Sequence, residues 1–375
     1  MTKELLLVIN EDRFFLSHRS RIAEKALGKG WNVTLVSKDT GKRKEIEKMG
    51  IKFIELPINP TGMNPLEELK TLRFLSKLFK EKKDAIVHLV GLKNMLWGGI
   101  AARVSKPKGV LFAVSGLGTL FGETKSSVVS KGIKKLLKLG LKGENVAVIF
   151  QNHDDERLFL ESGLLKDRKV FFIKGSGVDL KEFNYAEPPE EGRVKIIFTA
   201  RMLKEKGVED LVSAAEILRK DYNGEIEFLL CGDLSSNPNA LTETDMARMT
   251  DGDYIKWLGH RDDVCELLKE SHIMCFPSYY REGVPKSLIE ASAIGRPIVT
   301  TDSVGCRDTV REGENGFIVP CHSPESIAEA LVKLISNKKL RLEMGKKSRE
   351  IAESDYNVEN VANLHLKIYN QLNER

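Results

Sequence analysis

Short apolar runs rich in β-branched residues alternate along the chain with longer segments whose apolar positions recur every three or four residues. A switch between period two and period 3.6, repeated many times, predicts βα units around mostly parallel sheets, an α/β fold. In the first half, strands are expected at Leu5–Ile9, Asn32–Ser37, Lys52–Leu56, Ala85–Leu89, Val110–Val114, Val146–Gln151 and Val170–Ile173. Helical spacing falls at Ser17–Lys29, Gly41–Lys48, Glu67–Lys80 and Met95–Val104. In the second half, strands are expected at Lys195–Thr199, Ile226–Cys231, Ile255–Trp257, Ile273–Pro277, Pro297–Thr300 and Gly316–Val319. Helices fall at Gly207–Lys220, Val264–Glu270, Pro285–Ile294 and Pro324–Ser336. The polar stretch 184–193 contains Pro188 and Pro189 and precedes a fresh strand, so it reads as a linker. No repeat of about 20–50 residues interrupts this order.

Composition narrows the class without naming it. The 375 residues suggest two domains. Hydrophobic residues at 41% and charged residues at 30% fit a folded chain and exclude a disordered or collagen-like one. A net charge of +5 is too small to argue for nucleic acid. The N-terminal apolar run Leu5–Ile9 is too short for a signal segment, and no run approaches the ~18 apolar residues that span a bilayer. Five cysteines, Cys231, Cys265, Cys275, Cys306 and Cys321, all lie in the second half without C-x-x-C spacing. They are expected to be reduced thiols of a cytoplasmic protein, packed as small hydrophobes, with no metal site.

The chemistry concentrates after two predicted strands of the second half. Ser278-Tyr279-Tyr280-Arg281-Glu282-Gly283-Val284-Pro285-Lys286-Ser287 runs into a helix that Pro285 is suited to start. Backbone N–H groups from Gly283 to Ser287 would lie free at that helix N-terminus, where they and the dipole favour a phosphate. Glu282 and Glu290 bracket this position, and Glu290 lies in an apolar stretch where its carboxylate requires a polar partner. Arg201 and Lys206 follow the strand ending at Thr199, placed to meet one diphosphate from two directions. Cations there stabilise charge building on a departing phosphate.

These segments carry a resemblance. The glutamates Glu282 and Glu290, Ala200-Arg201-x4-Lys206-Gly207, Lys174-Gly175-Ser176-Gly177-Val178-Asp179, Gly295–Asp302 and Glu314-Asn315-Gly316-Phe317 resemble the retaining nucleotide-sugar glycosyltransferases of family 4. Asn10, Phe14–Arg19 and Ser115-Gly116-Leu117-Gly118 are similar to a branch that makes capsular and O-antigen polysaccharides. The resemblance implies a GT-B fold of two facing Rossmann-like domains, with residues 1–175 for the acceptor, 176–356 for the donor, and a helix over 357–375 crossing back. It implies that Glu282 meets the donor sugar, Glu290 the ribose, and Arg201 and Lys206 the diphosphate. Gly283, Val284, Pro285, Lys286, Ser287, Gly232, Gly259, His260, Arg261 and Ser176 complete the implied donor site. Asn10, Phe15, His18, Ser115 and Gly116 fall on the acceptor and sugar side. The implied donor is a UDP-sugar, used without a metal or other cofactor, and the implied acceptor is a saccharide on a lipid diphosphate at the inner membrane face.

Two departures, three histidines and one charge pattern qualify that picture. Ser115 stands where many relatives carry a histidine, so imidazole chemistry is not assumed. The glycines around it do not form G-x-G-x-x-G, which disfavours a dinucleotide site. His18 and His88 lie near predicted strand ends and are weighed as contacts against a structural role, and His153 is expected to open a helix. Residues 125–142 carry six lysines and no acid. Lys131, Lys135 and Lys138 share a face, which suits either an anionic membrane surface or a solvated helix. A sugar-nucleotide epimerase, a phosphorylase and a non-catalytic nucleotide-sugar binder remain as alternatives.

Overall fold

The computed structural model describes residues 3–60, 62, 64–117, 128–166, 168–235, 237 and 239–374. Two compact units emerge, Met1–Ser176 with Val358–Arg375, and Gly177–Asn357. Each boundary falls one residue beyond the position expected from the sequence.

In the first unit the strands are β1 (Lys3–Glu11), β2 (Trp31–Lys38), β3 (Lys52–Glu55), β4 (Ala85–Val90), β5 (Gly109–Val114), β6 (Val146–Phe150) and β7 (Lys169–Phe172). They pair in parallel in the order β3-β2-β1-β4-β5-β6-β7. Leu5 sits between Val33 and Ile86, so apolar rows continue across the strands. All six residues of β4 and of β5 are buried, as expected for parallel strands covered on both faces. One core layer lies under Leu75, Phe79, Phe112 and Leu137, and the other under Phe15, Trp31, Leu366 and Tyr369. The last two belong to the terminal helix Val358–Asn373, which therefore completes the core of the first unit.

In the second unit β8 (Val194–Thr199), β9 (Ile226–Cys231), β10 (Ile255–Gly259), β11 (Ile273–Phe276), β12 (Ile298–Thr301) and β13 (Gly316–Val319) form the order β10-β9-β8-β11-β12-β13. In both sheets the chain reverses direction of growth beside its first strand, between β1 and β4 and between β8 and β11. Ligands of doubly wound sheets bind outside the carboxyl ends of the strands at such points.

Helices differ from the periodicity reading in three places. The single helix expected over Ser17–Lys29 is two, Asp12–His18 and Ser20–Leu27, broken at Arg19, whose φ is −133°. Asp12 is buried and accepts hydrogen bonds from the backbone N–H groups of Thr40 and Lys42, which ties the first of these helices to the loop after β2. Glu243–Met249 is set by a Thr242–Asp245 capping box rather than by an apolar stripe. Lys338–Asp355 buries Arg341, Met344, Gly345, Ser348, Ile351 and Ala352 at helical spacing, but half of these are residues that hydropathy does not count. The described cysteines are all unpaired, with Cys231, Cys275 and Cys306 buried.

Candidate functional site

The second unit brings the loops after β8 and β11 together at its switch point. The first loop turns through Gly207, whose φ of +77° is left-handed. A Cβ there would collide with the carbonyl of Pro277, so only glycine permits this approach. Three donors then converge on one acceptor: the N–H groups of Tyr279 (3.0 Å) and Tyr280 (3.1 Å) and the Ser278 hydroxyl (3.1 Å) all donate to the carbonyl of Glu205. Ser303 donates to Ser278 O at 2.7 Å, and the Thr301 hydroxyl donates to the same oxygen. Glu282 N–H donates to Val304 O at 3.2 Å, and Gly305 passes so close to Gly283 that a side chain would strike its carbonyl. Loops from β8, β11 and β12 are thereby held in one arrangement.

Lys206 and Glu282 meet within this frame. Their side chains form an ion pair and are only 13% and 15% exposed. The Ser278 hydroxyl adds a 3.4 Å hydrogen bond to the same Glu282 Oε1. The Lys206 ammonium also lies 5.4 Å from the Phe276 ring centre and 5.6 Å from that of Tyr280. Burial, with Glu282 nearby, pushes the Tyr280 hydroxyl pKa up. Arg201 is exposed just beyond β8 and makes no ion pair or side-chain hydrogen bond among the described residues.

The helix Lys286–Ile294 follows directly. Pro285 is its N-cap, so the helix begins one position after the start predicted from the sequence. The first intrahelical bond runs from Ile289 N–H to Pro285 O, so the amides of Lys286 and Ser287 lie ahead of it and present the positive end of the dipole. Glu290 finds the polar partner its apolar setting requires in Lys286, at 3.0 Å. Burial raises the Glu290 pKa, and the lysine opposes that shift.

The base-side residues sit at the ends of β9 and β10. Gly232, with φ +148°, approaches the Ala200 carbonyl too closely for any Cβ. Its N–H donates to Gly259 O at 2.8 Å, and Trp257 Nε1 donates to Gly232 O at 3.0 Å. His260 is exposed between Asp233 (3.0 Å) and Asp262 (3.2 Å), while Arg261 is engaged by Asp263. Ser176 is buried, and its hydroxyl has no partner among the described residues. It closes the first unit rather than opening the second.

In the first unit the switch point carries Asn10, half-buried, whose Oδ1 accepts from Asn94 Nδ2 at 2.8 Å. His18 is stacked on Phe14 with ring centres 4.1 Å apart and shares a 2.7 Å hydrogen bond with Ser17. Ser115 and Gly116 follow β5, half-buried, and Gly116 has φ +102°. Gly118–Ser127 lies outside the described residues.

One sequence-derived placement is corrected. Phe15 is fully buried in the core with Trp31 and Tyr369, so its ring faces no ligand. The resemblance placed it with Asn10 and His18, but its ring turns into the core while His18 stacks on Phe14. Of the two roles weighed for His88, the structure gives the structural one: it is a core residue, 0% exposed, sharing a 2.7 Å hydrogen bond with the Tyr369 hydroxyl. His153 opens a helix as expected and stacks on Phe172. On the helix Val128–Gly140, Ile133, Leu137 and Gly140 are buried while Lys131, Lys135 and Lys138 are exposed. That apolar face packs into the unit's own core and is not available for insertion into a membrane. Sequence reasoning quoted Ser278, Tyr280 and Gly207 within its motif segments without giving them a role of their own, and it missed Phe276. Gly207 had a readable signal, a glycine between a strand-end loop and a helix.

The family described as glycosyl transferases group 1 matches residues 181–351, and the one described as glycosyl transferase 4-like matches residues 4–152. The chain is 27% identical over 343 residues, 88% of each protein, to the N,N'-diacetylbacillosaminyl-diphospho-undecaprenol alpha-1,3-N-acetylgalactosaminyltransferase of Campylobacter jejuni. It is 25% identical over 341 residues, 88% of this chain and 86% of the other, to the UDP-Gal:alpha-D-GlcNAc-diphosphoundecaprenol alpha-1,3-galactosyltransferase of Escherichia coli. Among solved structures, Anabaena Alr3699/HepE in complex with UDP and glucose superposes with a TM-score of 0.77 at 15% identity, covering 98% of this chain and 100% of that one.

Proposed function

The chain belongs to the group 1 glycosyltransferases and carries their GT-B fold, and on that premise we propose that it moves a hexose or N-acetylhexosamine from a UDP-sugar to a saccharide on undecaprenyl diphosphate, with retention at the anomeric carbon. The observation that carries this reading is the Lys206–Glu282 pair at the β8/β11 switch point, four residues before the helix Lys286–Ile294 and with Arg201 in the field of the adjoining Tyr280. The donor diphosphate lies against Arg201, Lys206 and the amides of Lys286 and Ser287. Glu282 takes the sugar hydroxyls, and Glu290 the ribose. The backbone around Gly232, Gly259, His260 and Arg261 reads the base.

The chemistry follows from where charge develops. As the anomeric carbon–oxygen bond breaks, negative charge grows on the leaving UDP, and the two cations stabilise it without a proton-transfer step of their own. The acceptor hydroxyl attacks from the side the UDP leaves and gives its proton to the departing phosphate oxygen. Retention then needs no carboxylate nucleophile, and Glu282, engaged by Lys206 and Ser278, is a binding group rather than a glycosidase-type nucleophile. The cations supply the charge a divalent ion would otherwise bring, so no metal is required. The acceptor reading is supported by two relatives whose names specify undecaprenol-linked substrates. It assigns Asn10, His18, Ser115 and Gly116 to the acceptor and sugar side and places the protein peripherally at the inner membrane face, in surface polysaccharide synthesis.

The test is transfer of labelled sugar from UDP-glucose, UDP-galactose and their N-acetylated forms to lipid-linked acceptors, with and without EDTA. Turnover is expected to survive EDTA and to fall about 100-fold or more in Glu282→Ala, the scale for losing one preorganised polar group in an active site. A wild type that binds UDP-sugar yet never turns it over, or a Glu282→Ala variant with undiminished turnover, would overturn the assignment.

A further inference from the structure

Lys206 presents a problem that the donor reading leaves open. A lysine ammonium sits on four rotatable carbons, so a clamp built from it is only as good as whatever stops it moving. Glu282 holds it in the free protein, but the proposed chemistry asks Glu282 to turn to the sugar. The lysine side chain is also only 13% exposed, so little water is present to replace a departing partner.

The walls around it are aromatic. Phe276, at the end of β11, and Tyr280, four residues on, place their ring centres 5.4 and 5.6 Å from the Lys206 nitrogen. Ring faces within about 6 Å attract a cation, and the attraction strengthens where water is scarce. Phe276 is fixed by the core. Tyr280 is anchored through its backbone N–H, which donates to Glu205 O at 3.1 Å and to the Ser278 hydroxyl at 3.2 Å. Because Glu205 directly precedes Lys206, the bond to Glu205 holds the backbone under the ring and the backbone under the lysine in one register. Tyr280 also stands in the field of Arg201, the other cation of the clamp.

We propose that Tyr280, with Phe276 behind it, is a positioning residue that keeps the Lys206 ammonium aimed at the donor diphosphate when Glu282 exchanges the lysine for the sugar. This rests on the UDP-sugar reading and adds to it a division of labour: Glu282 holds Lys206 before the donor arrives, and the ring faces hold it afterwards. Phe276 cannot be replaced without disturbing the core, so Tyr280 is the position to vary.

The experiment is calorimetric titration of the full chain with UDP and with uridine, for wild type, Tyr280→Leu and Tyr280→Phe, together with donor kinetics. Tyr280→Leu is expected to weaken UDP about tenfold, the order of a desolvated cation–π contact, and to leave uridine affinity unchanged. It should lower kcat with a smaller change in KM, because the cation acts most on the leaving group. Tyr280→Phe, which keeps the ring, is expected to restore both. Equal weakening of UDP and uridine would mark a merely structural role and overturn the proposal. So would a Tyr280→Phe variant as impaired as Tyr280→Leu, since the hydroxyl would then be the active part. A wild type that binds pyrophosphate but not UDP overturns the uridine reading alone, and the same three proteins are then compared with pyrophosphate. A wild type that binds neither overturns both.

Discussion

Gly207 shows how much of the site hangs on a single backbone position. Its φ of +77° and the missing Cβ let the β8 loop close on Pro277, and everything that brings Lys206 to Glu282 follows from that approach. Replacing it with alanine adds a left-handed strain and a collision with a backbone oxygen that has no room to yield. Gly207→Ala is expected to lose about 2–4 kcal/mol of stability in denaturant titration, and to weaken UDP binding further than Tyr280→Leu does. Stability within 0.5 kcal/mol of wild type would show that the loops can separate without cost. Glu290 illustrates the opposite case, in which residue type alone anticipated the outcome. A carboxylate in an apolar helix needs a partner, and Lys286 is one turn away.

At the scale of elements, two helices make predictions of different kinds. The terminal helix Val358–Asn373 buries His365 and Tyr369 against the first sheet, beside His88 and the buried Arg19. Burial, with Arg19 nearby, holds His365 down to about 3 and His88 well below its ordinary value. Both are neutral when folded and regain a value near 6.5 when unfolded. Their contribution is therefore complete above pH 6.5 and is lost as pH falls below it. The slope is about 1.4 kcal/mol per pH unit for each histidine. His272 in the second unit, pulled down to about 4 by burial, acts with the same sign. Denaturant titrations between pH 7 and 5 should show this decline, and His365→Leu should make it shallower. A flat profile would mean that the pair is not excluded from protonation.

The helix Val128–Gly140 spends its apolar face on the core and leaves Lys131, Lys135 and Lys138 outside. Any membrane contact through it is electrostatic, worth about 1 kcal/mol per lysine near an anionic surface and weakened by salt. Charge reversal of the three lysines is expected to reduce sedimentation with anionic liposomes, with transfer to a soluble acceptor analogue retained. Unchanged sedimentation would sink that role.

For the whole molecule, the consequence of the division at Ser176 and Asn357 is that the chain's last helix belongs to its first unit. Ending the chain at Asn357 removes Leu366, Ile368, Tyr369 and Leu372 from that core and uncovers the sheet face they shield. Such a truncation is expected to melt the first unit at much lower temperature while the second unit keeps its transition. A single unshifted transition would show that the helix contributes nothing.

Most of this fold was legible because parallel strands buried on both faces leave near-continuous apolar runs, and β4, β5 and β9 are such runs. The site's charged residues were legible too, because Arg201, Lys206, Glu282 and Glu290 fall at strand ends and helix starts, where chain order alone assigns a neighbourhood. Tertiary structure decided which of them touch. Lys206 and Glu282 are 76 residues apart, and only the closure of two loops over Gly207 makes them a pair and sets Phe276 and Tyr280 around them. It also decided that Phe15 and His88 are core. Sequence proximity to a strand end does not say which way a side chain turns, and rotation about the helix or the strand settles that only once the layers pack.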